Sequence, residues 1–260
     1  MISLSFLKIR IYAIIVGIFG MPGATAYGGV TDVLRPASGE TVFVSAASGA
    51  VGGLVGMLCK KVFGCKVIGS CGGPEKCEHV KAVYGFDHAI DYKTAHSAED
   101  LARSLLAVAP TGINMYFENV GGMHFEAAVQ MMCPKGRVAV CGCISQYNTP
   151  YPEKLSLDIW KVIYGQIHIQ GFLSTDYLSG NLPFTSSIFT LRLLCRYVDD
   201  AASGTNFLWL WHNSSSLQLL ISNFILRAST GKKGNFLQDM HTWLQAGDIQ
   251  VQETFFEGLH

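Results

Sequence analysis

The sequence has no surplus of charge in either direction. Its 19 Lys and Arg balance 19 Asp and Glu to a formal net charge of zero. No chain-wide field therefore gathers a polyanion or an anionic lipid surface, and nucleic acid is set aside as a partner. Charge is scarce altogether, at 15% of residues against 49% hydrophobic, which excludes a disordered polyelectrolyte and points to a core-forming chain. A long apolar run is also lacking near the start. Lys8 and Arg10 cut residues 1–20 down to the stretch Ile11 to Phe19, short of the about 20 residues that cross a hydrocarbon core. This apolar lead reads as a buried helix or strand, a weak signal or anchor, or a misassigned start, and membrane attachment is disfavoured. Cysteine is plentiful, with eight residues, but the C-x-x-C spacing is missing: Cys59, Cys65, Cys71 and Cys77 stand six apart, and Cys141 and Cys143 form C-x-C. That pattern excludes a zinc knuckle or a thioredoxin-like motif and predicts free thiols in a reducing, cytoplasmic compartment, with no metal site. No Ser/His/Asp arrangement for nucleophilic catalysis is apparent either.

What is present is a rhythm. At 260 residues the chain is long enough for one large or two small domains with a substantial core. Between Glu40 and Gly171 a β-branched run, a glycine turn and a helical stretch recur. Thr41 to Ser45, Cys65 to Gly69, His88 to Asp91, Ile113 to Phe117, Gly136 to Cys141 and Ile167 to Phe172 read as strands. Between them fall helices at Val51 to Phe63, Pro74 to about Tyr84, Ser97 to about Val108, Met123 to Met132 and Leu157 to Tyr164. Pro74 sits where a first helical turn tolerates a missing N–H, and Ser97 with Asp100 resembles a capping box. Connections of this length imply right-handed crossovers and so an α/β fold with a doubly wound, mostly parallel, Rossmann-type sheet. At about Asn181 the texture breaks. Residues 181–231 follow neither helical nor strand periodicity and read as an anomalous insertion, and Asn213-Ser214-Ser215 as a chance sequon. A helix from Gly234 to Ala246, ended by Gly247, and a strand from Ile249 to Phe256 complete residues 232–260.

The informative site is Ala47-Ser48-Gly49-Ala50-Val51-Gly52, an A-x-G-x-x-G sequence between the first predicted strand and the first predicted helix. Gly49 lets the backbone approach a pyrophosphate, Gly52 lets helix and strand pack closely, and the helix N-terminus offers unpaired N–H groups to phosphate. The strand-turn-helix context separates this from a chance match; a tight structural turn is the bland reading. The place where NAD-binding versions put a carboxylate for the ribose hydroxyls reads Gly69-Ser70-Cys71-Gly72-Gly73, and Lys76 follows. A ribose phosphate would meet a cation and no repulsion, so NADP(H) is favoured over NAD(H), unless Lys76 is only a solvated helix residue.

Several words in order then carry a resemblance: GMPGATAY at Gly20 to Tyr27, AASGAVG at Ala46 to Gly52, DYK at Asp91 to Lys93, YFENVGG at Tyr116 to Gly122, GRVAVCGCISQYN at Gly136 to Asn148 and QGFL at Gln170 to Leu173. From Gly20 to about Gly180 the chain resembles the nucleotide-binding part of the prostaglandin reductase and leukotriene hydroxydehydrogenase group, zinc-independent members of the medium-chain dehydrogenase/reductase superfamily. The resemblance implies a 21–180 NADP-binding domain in which Gly49, Ala50, Val51 and Gly52 hold the pyrophosphate and Lys76 the ribose phosphate. Tyr92 and Asn119 would line the cofactor groove. Cys141, Gly142, Cys143, Ile144, Ser145, Gln146 and Tyr147 would form the loop around the reactive ring, with Phe172, Leu173 and Ser174 beside it. Tyr147 is the catalytic candidate, touching the nicotinamide ribose or the substrate carbonyl, with plain packing as its alternative role. The implied reaction is hydride transfer from NADPH to the β-carbon of an α,β-unsaturated ketone, with a small-molecule enone as partner; a homodimer is one assembly considered, and the sequence leaves the oligomeric state open. The departures set the alternative, an inactive NADPH-binding remnant or regulatory module. A GroES-like substrate domain is expected ahead of GMPG and is missing, 181–231 has no counterpart, and 232–260 is expected to return toward that missing domain. Lost first exons and a read-through intron would produce this pattern.

Overall fold

Short apolar runs separated by glycine turns can bury both faces only in a sheet covered on both sides, and that is the observed arrangement. The computed structural model describes residues 17–150, 154–178 and 236–250. The anomalous stretch 181–231, residues 1–16 of the lead, and the terminal strand beyond Gln250 lie outside the described residues. Two compact units are present, residues 25–174 and residues 1–24 with 175–260. The second includes helices α7 (Thr175–Leu178) and α8 (Phe236–Ala246). Helix α8 ends at Gly247 with φ +79°, the left-handed residue that glycine adopts without a Cβ penalty.

Residues 25–174 hold six strands: β1 (Thr41–Val44), β2 (Lys66–Cys71), β3 (His88–Asp91), β4 (Ile113–Glu118), β5 (Met132–Val140) and β6 (His168–Gly171). They lie in the order β3-β2-β1-β4-β5-β6, and every neighbouring pair is parallel. The doubly wound reading therefore holds, and the chain reverses its direction of travel between β1 and β4. Helix α1 (Met21–Gly28) continues as a wider turn at Gly29–Leu34, α2 (Ala50–Met57) follows β1, and α3 (Pro74–Tyr84) follows β2. The other face carries α4 (Ala98–Val108), α5 (Met123–Met131) and α6 (Ile159–Gly165). There Leu101 and Leu105 of α4 pack with Phe125 of α5 and with Phe43, Ile68, Tyr116 and Val138 of the sheet.

Local chemistry explains where the elements stop. Ser97 accepts the Asp100 N–H at 3.2 Å, the capping contact expected at the start of α4. Asp158 accepts the N–H groups of Trp160 and Lys161 at 3.0 and 3.3 Å, so α6 starts at Ile159 rather than at the expected Leu157. The helix expected from Val51 to Phe63 is α-helical only to Met57; it then widens over Leu58–Val62, where Phe63 N–H donates to Leu58 O at 3.1 Å. Strand β5 begins at Met132, ahead of the expected Gly136, because the register against β4 shifts between Ile113 and Met115. The bulge contains Pro134, which has no N–H to give a ladder, and Lys135 at φ +61°.

In α4 the buried residues Ala98, Leu101, Ala102 and Leu105 recur at helical spacing, whereas Leu106 is 49% exposed. Replacing Leu105 by Ala is expected to lower the unfolding free energy by about 2–5 kcal/mol, with Leu106→Ala within about 0.5 kcal/mol of the parent. Urea midpoints of the two variants check the assignment, and equal losses would contradict it.

Candidate nucleotide-binding site

All the residues expected to bind a ligand follow the carboxyl ends of parallel strands, so the topology places them along one edge of the sheet. After β1 the chain turns through Ser45 to Gly49 and enters α2 with Gly49 extended as its N-cap. Ala46 has φ +48°, a left-handed backbone that costs a non-glycine residue about 1 kcal/mol. Ala47 N–H donates to Ser70 O of β2 at 2.9 Å, which fixes the turn to the sheet. A Cβ on Gly52 would stand 2.4 Å from Ala46 O, so only glycine lets α2 approach β1 this closely. Gly49 and Ala50 are exposed, Val51 half-buried and Gly52 buried.

On the β2–β3 side, Lys76 stands exposed on the first turn of α3. A Cβ placed on Gly72 would lie 3.2 Å from the Tyr92 hydroxyl and 3.3 Å from Lys93 Cε. Tyr92 and Lys93 thus flank the turn after β2, and Lys93 joins Lys76 as a second exposed cation on that turn's border. The sequence around Gly69–Gly73 shows no carboxylate, yet the fold brings Asp91 from the neighbouring β3. Its Oδ1 accepts Gly73 N–H at 2.9 Å and Lys93 N–H at 3.1 Å, so that oxygen is engaged by backbone. Behind it, buried His124 of α5 shares a hydrogen bond of 2.8 Å with Ser70 Oγ and meets the Tyr92 ring edge-on at 5.1 Å.

On the β4–β5 side, the loops after the two strands are laced together. Ile144 N–H donates to Asn119 O at 3.0 Å, and Ser145 N–H to Val120 O at 3.1 Å. The Asn119 amide donates to Ser45 O at 2.7 Å and accepts from the Cys141 thiol at 3.0 Å. Its side chain thus braces β1, β4 and β5 rather than standing free in a groove. Tyr147 is 66% exposed, and its hydroxyl lies over Gly142, where a Cβ would come within 2.5 Å of it. Gln146 is half-buried and Ile144 exposed on the same loop. Phe172 packs edge-on against Phe117 at 6.1 Å; Leu173 is exposed and Ser174 half-buried. The site residues therefore form two groups, one beyond β2 and β3 and one beyond β4 to β6, with the glycine turn and α2 between them.

Residues 50–185 match the zinc-binding dehydrogenase family. The chain belongs to that family. It is 49% identical over 161 residues to 2-alkenal reductase (NADP(+)-dependent) of Nicotiana tabacum, covering 62% of this chain and 46% of the relative. It is 45% identical over 159 residues to prostaglandin reductase 1 of Mus musculus, covering 60% and 46%. Among solved structures, CurA from Vibrio vulnificus in complex with NADPH is 32% identical with a TM-score of 0.64, over 93% of this chain and 56% of that one. The matches place this dehydrogenase domain in the prostaglandin and alkenal reductase group, as its sequence words indicated, and specifically in the nucleotide-binding part. The chain spans about half the length of these relatives or less. Among the described residues no group of three or more His, Cys, Asp or Glu is placed to hold a metal, so these residues do not fit the zinc of the family's name. No helix among them is long and apolar enough to cross a membrane.

The dehydrogenase fold exposes residues that strand-by-strand reading passes over. Ser45, Glu118, His124 and Lys93 belong to the two groups, and only the YFENVGG and DYK words touched any of them. Seven cysteines are free thiols among the described residues, and burial pushes their thiols up, Cys141 to about 12 with Glu118 adding to the shift. Desolvation lowers His124 from the usual 6.5 to about 4. Between these values the unfolded chain takes up a proton that the native state does not, so stability is complete above pH 6.5 and falls as pH drops toward 4. The loss is expected to reach about 3 kcal/mol at acid pH. His124→Gln, which can keep a bond to Ser70, should flatten this part of the unfolding-free-energy profile; an unchanged profile would assign it to other groups.

Proposed function

We propose that this chain binds NADP(H) across the crevice where the strand order reverses, and that the protein of which it forms the nucleotide-binding part reduces the carbon–carbon double bond of α,β-unsaturated ketones or aldehydes. The observation that carries the reading is the A-x-G-x-x-G turn leading into α2 beside the β1–β4 switch point, where open α/β sheets take dinucleotides. The NADP(+)-dependent alkenal reductase and the NADPH complex of CurA support the choice of nucleotide. In this reading the N-terminus of α2 and the backbone of Gly49 to Gly52 take the pyrophosphate. The adenosine half runs toward Gly72, with Lys76 and Lys93 as cations for its ribose phosphate and Tyr92 beside it. The other half runs toward Asn119 and the Cys141–Tyr147 loop, with Phe172, Leu173 and Ser174 closing that side. Bound there, the cofactor would supply the hydride that the β-carbon of an enone accepts. Tyr147, whose hydroxyl hangs over Gly142 at the mouth of that loop, donates a hydrogen bond to the carbonyl oxygen as negative charge develops there. A reducing, cytoplasmic setting fits the free thiols.

The same reading extends to a homodimer. Trp160 at 62% exposure, Ile163 at 53% and Tyr164 at 79% leave an apolar stripe on α6, the helix leading into β6, which among the described residues pairs on one side only, a combination that association would cover. Light scattering should return the mass of two chains, and a monomer at micromolar concentration would overturn the dimer.

Two measurements test the cofactor and the reaction. Lys76→Ala is expected to weaken NADPH by about tenfold or more while leaving NADH nearly unchanged; equal losses would overturn the phosphate role. Loss of NADPH absorbance on adding an enone to the protein supports the reductase, whereas tight NADPH binding without turnover supports the non-catalytic module.

A further inference from the structure

Glu118 ends β4 as a fully buried carboxyl at the switch point. Its Oε1 accepts the backbone N–H groups of Val120 and of Gly121, the latter at 2.9 Å, and the Ser45 hydroxyl at 3.1 Å. The Ser45 Oγ in turn accepts Asn119 N–H at 2.9 Å. Glu118 therefore grips every backbone N–H of the turn from 119 to 121, one of them through Ser45. The carbonyls of the same segment hold the next loop: Glu118 O accepts Cys141 N–H at 3.1 Å, Asn119 O accepts Ile144 N–H, and Val120 O accepts Ser145 N–H. Two further observations mark this as more than a packed corner. Glu118 Oε2 and the Tyr116 hydroxyl, two residues earlier on the same face of β4, are both buried and have each other and the Ser45 hydroxyl as polar neighbours. A carboxyl oxygen and a phenol buried side by side satisfy one another by sharing a proton between them. Burial also pushes the Glu118 carboxyl upward, against the pull of the Gly121 and Val120 N–H groups.

We propose that Glu118 is the positioning residue of the crevice's β4–β5 wall, holding the turn from Asn119 to Gly121, and through it the Cys141–Tyr147 loop, in the shape that receives the nicotinamide half of the cofactor. The proposal rests on the NADP(H) reading above and deepens it: the carboxyl touches neither cofactor nor substrate, and acts through backbone.

The test separates the two halves of the nucleotide. Full-length protein is titrated with NADPH by fluorescence and with 2′,5′-ADP, which lacks the nicotinamide half, by calorimetry. Glu118→Ala is expected to weaken NADPH by about tenfold or more and to leave 2′,5′-ADP within about twofold. Glu118→Gln, whose amide oxygen can take the same N–H groups and whose NH2 can face Tyr116, should restore NADPH to within about threefold of the parent. Should Glu118→Ala fail to fold, Ser45→Ala carries the comparison, with NADPH weakened and 2′,5′-ADP unchanged. NADPH binding unaltered by Glu118→Ala or Ser45→Ala, equal losses of both ligands, or a Gln variant as weak as Ala would each overturn the positioning role. A parent protein that binds 2′,5′-ADP and NADPH equally tightly would overturn it too, since the nicotinamide half would then have no site to be positioned in. A parent that binds neither overturns the cofactor reading itself.

Discussion

The pairing of β1 with β4 is the constraint on which the molecule turns. These strands are neighbours in the sheet but far apart in sequence, and the helices that follow them, α2 and α5, leave toward opposite faces. Two connections departing in opposite directions leave a gap above the strand ends that no side chain of the sheet can fill. Everything distinctive about the sequence gathers around that gap: the glycines that let α2 sit down on β1, the left-handed Ala46, and the Ser45–Glu118 contact that keeps the two strand ends together.

The sheet was legible because its elements obey local rules. β-branched runs, Pro74 at a first turn and Ser97 as a cap each announce themselves within a few residues, and the A-x-G-x-x-G turn names its own position after β1. What was not legible depended on register and on neighbours. Nothing in the run Met132 to Val140 says that Pro134 sits in a bulge of a longer strand; that follows from how β5 lines up with β4. Asp91 could not be placed beside Gly73 without knowing that β3 pairs with β2. Glu118 stands in the sequence only as one letter of the YFENVGG word, and only the fold shows it buried and bonded to the turn that follows it. Asn119 follows β4 directly, and its tie to Ser45 and Cys141 depends on three strands meeting.

The site and the core draw on different currencies of stability. Below the sheet edge, Leu101, Leu105, Phe43 and Val138 are held by burial and close packing, which tolerate no polar orphan. At the edge, strand β4 carries the buried polar pair Tyr116 and Glu118, next to a non-glycine residue in a left-handed conformation. Such local costs persist only because the surrounding sheet over-determines the geometry. Here they coincide with the loops that line the crevice, as is common where shape has been kept for binding rather than for stability.

The cysteines of that crevice have a consequence for chemistry with electrophiles. Conjugated carbonyl compounds alkylate thiolates readily and neutral thiols poorly. Cys141, whose hydrogen goes to the Asn119 oxygen and the Glu118 carbonyl, and Cys143 beside Gly121 are both held in the protonated form by burial and by the nearby carboxyl. A conjugated carbonyl compound that reached this loop would meet two sulfur atoms with little nucleophilic character.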